Sequence, residues 1–210
     1  MANHVSFSVN FVQINDAAKA KWKELSDRLV KSENNHEFWM GGLWVDGQEG
    51  SPTMEETEQY AWTTENIGPK WCYIQDFDDT SFSGYSAWSA PEMGLIWILE
   101  QLEECDPNII TSFYFEDEMP NFYGANVYEG SELFDGFEEE GDELMQRVFS
   151  EHPEIKEMWD EEEEEWKDDD GWSAYTDVMY DIMHNVQDGT VTECVEAILE
   201  NQQDNQVNPS

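Results

Sequence analysis

Carboxylates are what this sequence has in quantity, and any chemistry it performs must use or tolerate them. The densest run is Asp160-Glu161-Glu162-Glu163-Glu164-Glu165, followed after Trp166 and Lys167 by Asp168-Asp169-Asp170. Glu157 stands just ahead of it, and Glu138-Glu139-Glu140 form a second patch. Such groups can serve as general acids or bases, hold divalent cations, or present negative charge to a basic surface. For the first role Glu103, Glu116 and Glu118 are candidates, but acidic residues are too numerous for proximity to single any of them out. For the second, Asp168-Asp169-Asp170-Gly171 is suggestive of a calcium loop. An EF-hand loop needs oxygen ligands at set positions around a central glycine. With Gly171 as that glycine, Trp166 falls on the first ligand position, so the pattern fails. His4, His36, His152 and His184 lack zinc-type spacing, and no Cys-x-x-Cys pair exists. Nucleophile elbow, P-loop and dinucleotide fingerprint are all missing. The sequence therefore predicts no catalytic residue, no cofactor and no metal site.

That leaves the third role. The chain has 210 residues, 49 acidic and 9 basic, for a formal net charge of −40. Such a field repels nucleic acid and anionic lipid and attracts basic surfaces. Most of the basic residues (Lys19, Lys21, Lys23, Arg28 and Lys31) lie in one N-terminal segment. Ten Trp and eleven Phe are too many for a disordered acidic chain. The odd set Cys72, Cys105 and Cys194 suggests buried thiols in a reducing compartment. No secretory signal pattern opens the chain, and the apolar run Met93 to Leu99 is far short of the ~20 residues of a membrane span. A soluble intracellular protein is expected.

These residues need a frame. His4 to Val12 alternates apolar and polar, the pattern of a half-buried strand. Ala17, Trp22, Leu25 and Leu29 predict a helix from about Asp16 to Lys31, with the basic cluster on its outer face. Residues 32 to 60 are irregular and Gly-punctuated, with a short helix from Glu55 to Trp62. Trp71, Tyr73 and Gln75 begin a strand, Asp78-Asp79 turn, and Ser81 to Trp88 return as a hairpin. Ser89 and Glu92 have capping-box spacing, with Pro91 in the first turn of a helix through Leu99. Ile109 to Phe115 and Ala125 to Tyr128 are strands. This order is the split β-α-β pattern. It predicts an α+β, ferredoxin-like sandwich, an antiparallel sheet covered by two helices, over residues 1–130 with an insertion at about 32–60. Residues 131–200 read as an acidic helical extension of four helices, the last capped by Thr190. Residues 201–210 read as a polar tail.

The middle of the chain resembles a known family. Asn66-Ile67-Gly68-Pro69-Lys70-Trp71, Tyr85-Ser86-Ala87-Trp88-Ser89-Ala90-Pro91, Tyr114-Phe115-Glu116-Asp117 and Asn121-Phe122-Tyr123-Gly124 look like the YubB-like ferredoxin-like domain of phages and conjugative plasmids. The nearest likeness is to acidic members from cyanophages. Ile67 departs from an aromatic, and Ser89-Ala90-Pro91 from serine directly before proline. The resemblance implies the sandwich fold and a phage origin, hence the cytoplasm of an infected host cell. It carries over no catalytic residue.

Together these readings predict a phage-encoded binding protein rather than an enzyme, one that inhibits or modulates a nucleic-acid-handling host protein. The expected partner is basic; direct nucleic-acid or membrane binding is not expected, and the protein is a monomer or dimer. The expected binding face is Glu157, Asp160, Glu161, Glu162, Glu163, Glu164, Glu165, Asp168, Asp169 and Asp170, with Glu138, Glu139 and Glu140 beside it. Read as a helix, residues 157–170 rise ~1.5 Å each, close to the one charge per ~1.7 Å of duplex DNA. The plainer reading is that the charge confers solubility on an accessory or structural protein. A small-ligand pocket beside Trp71, Trp88 and Tyr123 is another, and dimerisation of the basic helix against an acidic face a further one.

Overall fold

Val5, Phe7, Val9 and Phe11 point to one side of the strand β1 (His4–Gln13), and Ser6, Ser8 and Asn10 to the other. This alternation makes β1 the centre of the computed structural model, which describes residues 3–31, 37–44 and 56–207. In chain order the remaining elements are α1 (Asp16–Ser26), β2 (Phe38–Trp39), a 3-10 turn at Met40–Trp44, α2 (Glu56–Asn66), β3 (Cys72–Phe77) and β4 (Ser81–Ala87). Then come α3 (Glu92–Glu103), β5 (Ile110–Asp117), β6 (Phe122–Glu129), β7 (Glu132–Glu140), α4 (Gly141–Glu151), α5 (Pro153–Lys156), β8 (Trp159–Asp160), β9 (Glu165–Trp166) and α6 (Asp169–Val207). The main sheet has seven antiparallel strands in the order β2-β3-β4-β1-β5-β6-β7.

Helices α1 and α3 cover one face. Trp22 of α1 stacks on Phe82 at 5.1 Å and meets Phe11 edge-on, while its indole N–H donates to the Asp78 carbonyl at 2.7 Å. The helix therefore sits over the β3–β4 turn. It is shorter than the sequence predicts, ending at Ser26 instead of Lys31. Beyond it the N–H groups of Arg28 and Leu29 reach back only three residues, to Leu25 and Ser26, and the tightened chain leads to the β2 edge. The start of α3 also differs. Pro91 is the cap residue, and no side chain caps the helix. The Ser89 carbonyl instead accepts from the Ser86 hydroxyl, and Glu92 accepts from the Tyr128 hydroxyl at 2.8 Å and from Asn126. The carboxylate expected in a capping box ties α3 to β6.

The second face is covered over part of its width by α4 and α6, so the predicted two-helix cover describes one face only. Tyr123, Leu144, Val148, Met179 and Met183 form a core there, and Ala125, Val127, Val191, Cys194 and Ile198 form the next one along α6. Buried Gln187 joins the layers, donating to the Gly124 carbonyl at 2.9 Å and to that of Phe115. Gly124 fits because any Cβ there would lie 2.3 Å from the Phe137 carbonyl oxygen.

The region after residue 130 departs most from expectation. Gly130, at φ 62°, closes a turn into β7, which pairs with β6 along its whole length, so the sheet continues through this point. The predicted acidic helix over 157–170 is a hairpin: β8 and β9 pair Trp159 with Trp166 and Asp160 with Glu165. The predicted third and fourth helices are one helix of 39 residues, and it continues into the expected tail. Gly189 and Thr190 lie inside it. The glycine costs about 1 kcal/mol there, and Val191, Cys194 and Ile198 hold the helix on the sheet despite it. Glu55, and residues 32–36 and 45–54 of the expected insertion, lie outside the described residues, as does 208–210. Among the described residues no helix is long and apolar enough to cross a membrane.

Candidate acidic interface

The hairpin is organised from its base outwards. Trp159 and Trp166 meet edge to face at 5.0 Å, and both rings pack on Phe149 of α4. Trp166 also contacts Tyr175 of α6 at 5.1 Å and Trp172 at 6.3 Å. A two-residue ladder on each side is too little to hold a hairpin in water; this aromatic cluster holds it. Lys167 extends the ladder through its N–H to the Met158 carbonyl, and its ammonium group reaches the Glu157 carbonyl at 2.7 Å. The Asp160 carboxylate accepts from the N–H groups of Glu162 and Glu163 and so shapes the turn. Glu161 pairs with Lys156 at 3.1 Å. Glu162, Glu163, Glu164 and Glu165 are exposed at the tip and have no ion pair among the described residues. The result is an anionic knob on an aromatic base.

Its neighbours have mixed duties. Asp168 accepts from the Gly171 N–H at 3.0 Å, which caps α6 and accounts for the calcium-like Asp-Gly sequence. Asp169 and Asp170 are exposed in its first turn, where negative charge favours the helix. Glu138 is exposed on the edge strand β7. Glu139 is turned inward, its side chain 12% exposed and bound to Arg147 at 2.7 Å. Glu140 forms a reciprocal capping box with Glu143 at the start of α4. Glu139 is thus a structural ion pair, while Glu138 and Glu140 remain at the surface.

A second acidic surface, absent from the expected set, runs along α6. Asp170, Asp177, Asp181 and Asp188 are spaced seven, four and seven residues apart, which places them on one helical face, and all are exposed. Glu193, Glu196, Glu200 and Asp204 continue as an exposed row further round the helix. The change of face follows the buried side, which turns from Met179 and Met183 towards Val191 and Ile198. The spacing is the signal that marks this stripe, and Asp170, Asp177, Asp181 and Asp188 all lie N-terminal to Gly189.

The alternative sites do not assemble. Trp71 packs with His4, Tyr73 and Tyr85, whereas Tyr123 is buried against Phe137 beneath α4 and α6. Trp88 is exposed at the β4–α3 junction, with φ 73°. Tyr123 is thus enclosed apart from Trp71 and Trp88. Glu103 binds the Ser131 hydroxyl at 2.6 Å, Glu116 lies 3.5 Å from His184, and Glu118 pairs with His4 at the surface. They are engaged separately. Among the described residues no group of three or more His, Cys, Asp or Glu is placed to hold a metal ion. Burial pushes the Cys72 thiol well above its ordinary range, which leaves it inert. The basic cluster in and just after α1 is largely answered locally: Lys21 and Arg28 pair with Glu24, and Lys23 with Asp27.

The fold and site define a mixed α+β protein with an uncompensated acidic surface. No family model, curated protein or solved structure matches this chain.

Proposed function

We propose that this protein is a phage-encoded acidic binding protein that inhibits or modulates a basic, nucleic-acid-handling host protein in the host cytoplasm, occupying a site that would otherwise grip phosphates. The single observation that carries this reading is the knob of Glu162 to Glu165 held on the Trp159–Trp166 pair. Charge that served only solubility would need no such anchor; a surface that a partner must recognise needs fixed positions. The α6 stripe extends the negative surface from Asp170 to Asp204, roughly 50 Å at ~1.5 Å per residue. Its carboxylates are more dilute than the one phosphate per ~3.4 Å of a single DNA strand. The hairpin supplies the dense part, so the resemblance to nucleic acid is a knob and a rail rather than a rod.

The ferredoxin-like reading belongs to this proposal. The run β3-β4-β1-β5, with α1 and α3 on one face, has the strand order that the split β-α-β pattern requires. It supports kinship with the YubB-like domain, elaborated here by β2 on one edge and β6, β7 and α6 on the other.

The test is charge neutralisation. A variant with Glu162, Glu163, Glu164 and Glu165 all changed to Gln keeps the Trp anchor. It is expected to fold normally and to lose most of the binding that the unsubstituted protein shows to nucleic-acid-handling proteins of a bacterial lysate. Undiminished binding contradicts the proposal.

A further inference from the structure

We infer that the groove between α4 and the first turns of α6 receives an amphipathic, Lys/Arg-rich helix of the partner. This rests on the acidic-binding function proposed above and assigns its apolar anchor. The groove encloses about 590 Å³ and is lined by Met119, Pro120, Met145, Trp172, Tyr175 and Met179, with Glu140 and Asp142 on its rim. No basic side chain lines it. Met119 is 57% exposed and Trp172 42%. Two large apolar side chains thus stand open together beside an acidic rim.

The chemistry of the lining points to the occupant. Methionine is flexible and polarisable and adapts to different apolar partners, while tryptophan is the commonest binding anchor. A helix presenting apolar residues at i, i+3 and i+4 can seat them in this depression, bounded by the β5–β6 loop, the start of α4 and the first turns of α6, and lysines on its flanks meet the acidic rim. The groove is also continuous with the acidic hairpin. Trp172 contacts Trp166, whose partner Trp159 lies at the other side of the hairpin base. One partner can therefore seat its apolar face in the groove and its basic face on the knob. The Gly141 N–H bonds the Asn121 carbonyl at 2.8 Å and ties the start of α4 to the loop that carries Met119 and Pro120.

The test uses the full chain and three synthetic probes. One is an amphipathic Leu/Lys helix, one its scrambled isomer of equal composition, and one a Lys-only peptide, with affinities measured by calorimetry. The amphipathic peptide is expected to bind at least about ten-fold tighter than its isomer. Met119→Ser with Met145→Gln should erase that difference while leaving Lys-only binding intact, since neither residue belongs to the aromatic base of the hairpin, and Met119→Leu with Met145→Leu should restore part of it. Asp142→Asn should weaken the amphipathic peptide by a few-fold at low salt. Equal binding of the two isomers, or an unchanged preference in the double variant, overturns the groove assignment. In that event Lys-only binding that is lost on neutralising the hairpin still supports the acidic reading. Hydrogen-exchange protection in the unsubstituted protein should fall on residues 141–151 and 169–180; protection elsewhere overturns the assignment independently of any variant. So does a homodimer in sedimentation that Trp172→Ala dissolves, since a second copy would then be the occupant.

Discussion

Trp159 and Trp166 face each other across the β8–β9 hairpin, ring centroids 5.0 Å apart and planes at 72°. The pair decides the conformation of the most acidic stretch in the chain. Glutamate favours helices, yet this run turns back on itself because the turn buries two indoles against Phe149 and Tyr175. Trp166→Ala should destabilise the protein by about 2–3 kcal/mol, below the value for a fully buried Trp because this ring is half-buried. Urea denaturation measures the loss, and amide exchange should show residues 159–166 opening first. A cost under about 0.5 kcal/mol would show that the indoles are not the anchor.

Glu164 closes the hairpin turn at φ 55°, where a side chain costs about 1 kcal/mol relative to glycine. Glu164→Gly should raise stability by a few tenths of a kcal/mol, at most about 0.6, after the entropy of the freer unfolded chain is deducted. Glu163→Gly, which lacks that positive φ, should not. Equal effects at the two positions would rule out the backbone explanation.

Gln187 is the polar tie between α6 and the sheet. Gln187→Leu removes both bonds while keeping most of the volume, and should cost about 1–3 kcal/mol. Thermal unfolding reads this directly. A variant as stable as the parent would mean that the Phe115 and Gly124 carbonyls do not need the amide.

Alkaline pH should weaken the fold through its buried tyrosines. Burial, and then the Asp142 charge, push the Tyr175 hydroxyl up to about 12 from its ordinary 10.0. Burial pushes Tyr128 and Tyr123 higher still, with Glu92 and Glu139 adding to it respectively. A group whose folded pKa is raised gives its full stabilisation below the unfolded pKa and loses it as pH rises through the folded value. The urea midpoint should therefore hold up to about pH 10 and fall between about 10 and 12. Tyr175→Phe should flatten part of that fall, and a slope unchanged by it would assign the loss elsewhere.

With a net charge of −40 the folded state repels itself. Added salt screens this, so the melting temperature should rise between low and physiological ionic strength. A melting temperature independent of salt would mean that the unfolded chain is repelled equally.

Much of the sheet was legible. The alternation in β1, the Asp78-Asp79 turn of the β3–β4 hairpin and the apolar α3 mark their elements by local pattern alone. Two elements were not legible for physical reasons. Strand β7 is an edge strand whose Glu132, Glu138 and Glu140 resemble helix formers, although charge on an exposed edge also blocks unwanted strand pairing. The β8–β9 hairpin depends on contacts with Phe149 and Tyr175, which lie apart from it in sequence and override local propensity. The same override hides the length of α6: Gly189-Thr190 looks like a helix boundary locally but is carried by the side chains around it. Of the expected acidic face, residues 161–165 are exposed on a hairpin and not on the expected helix. Glu139 is tied to Arg147, and the Asp177, Asp181 and Asp188 stripe is a further acidic face, N-terminal to Gly189, that the expected set leaves out.

The most direct measurement of the central claim is capture from a bacterial lysate at low and at high salt, with mass spectrometry of the retained proteins and duplex DNA as competitor. Retention of one or a few nucleic-acid-handling proteins is expected, released steeply by salt, displaced by DNA, and absent with the Glu162–Glu165 neutralised variant. Retention of nothing, or of many basic proteins alike and equally by the variant, would contradict the account and leave the charge as a solubility device.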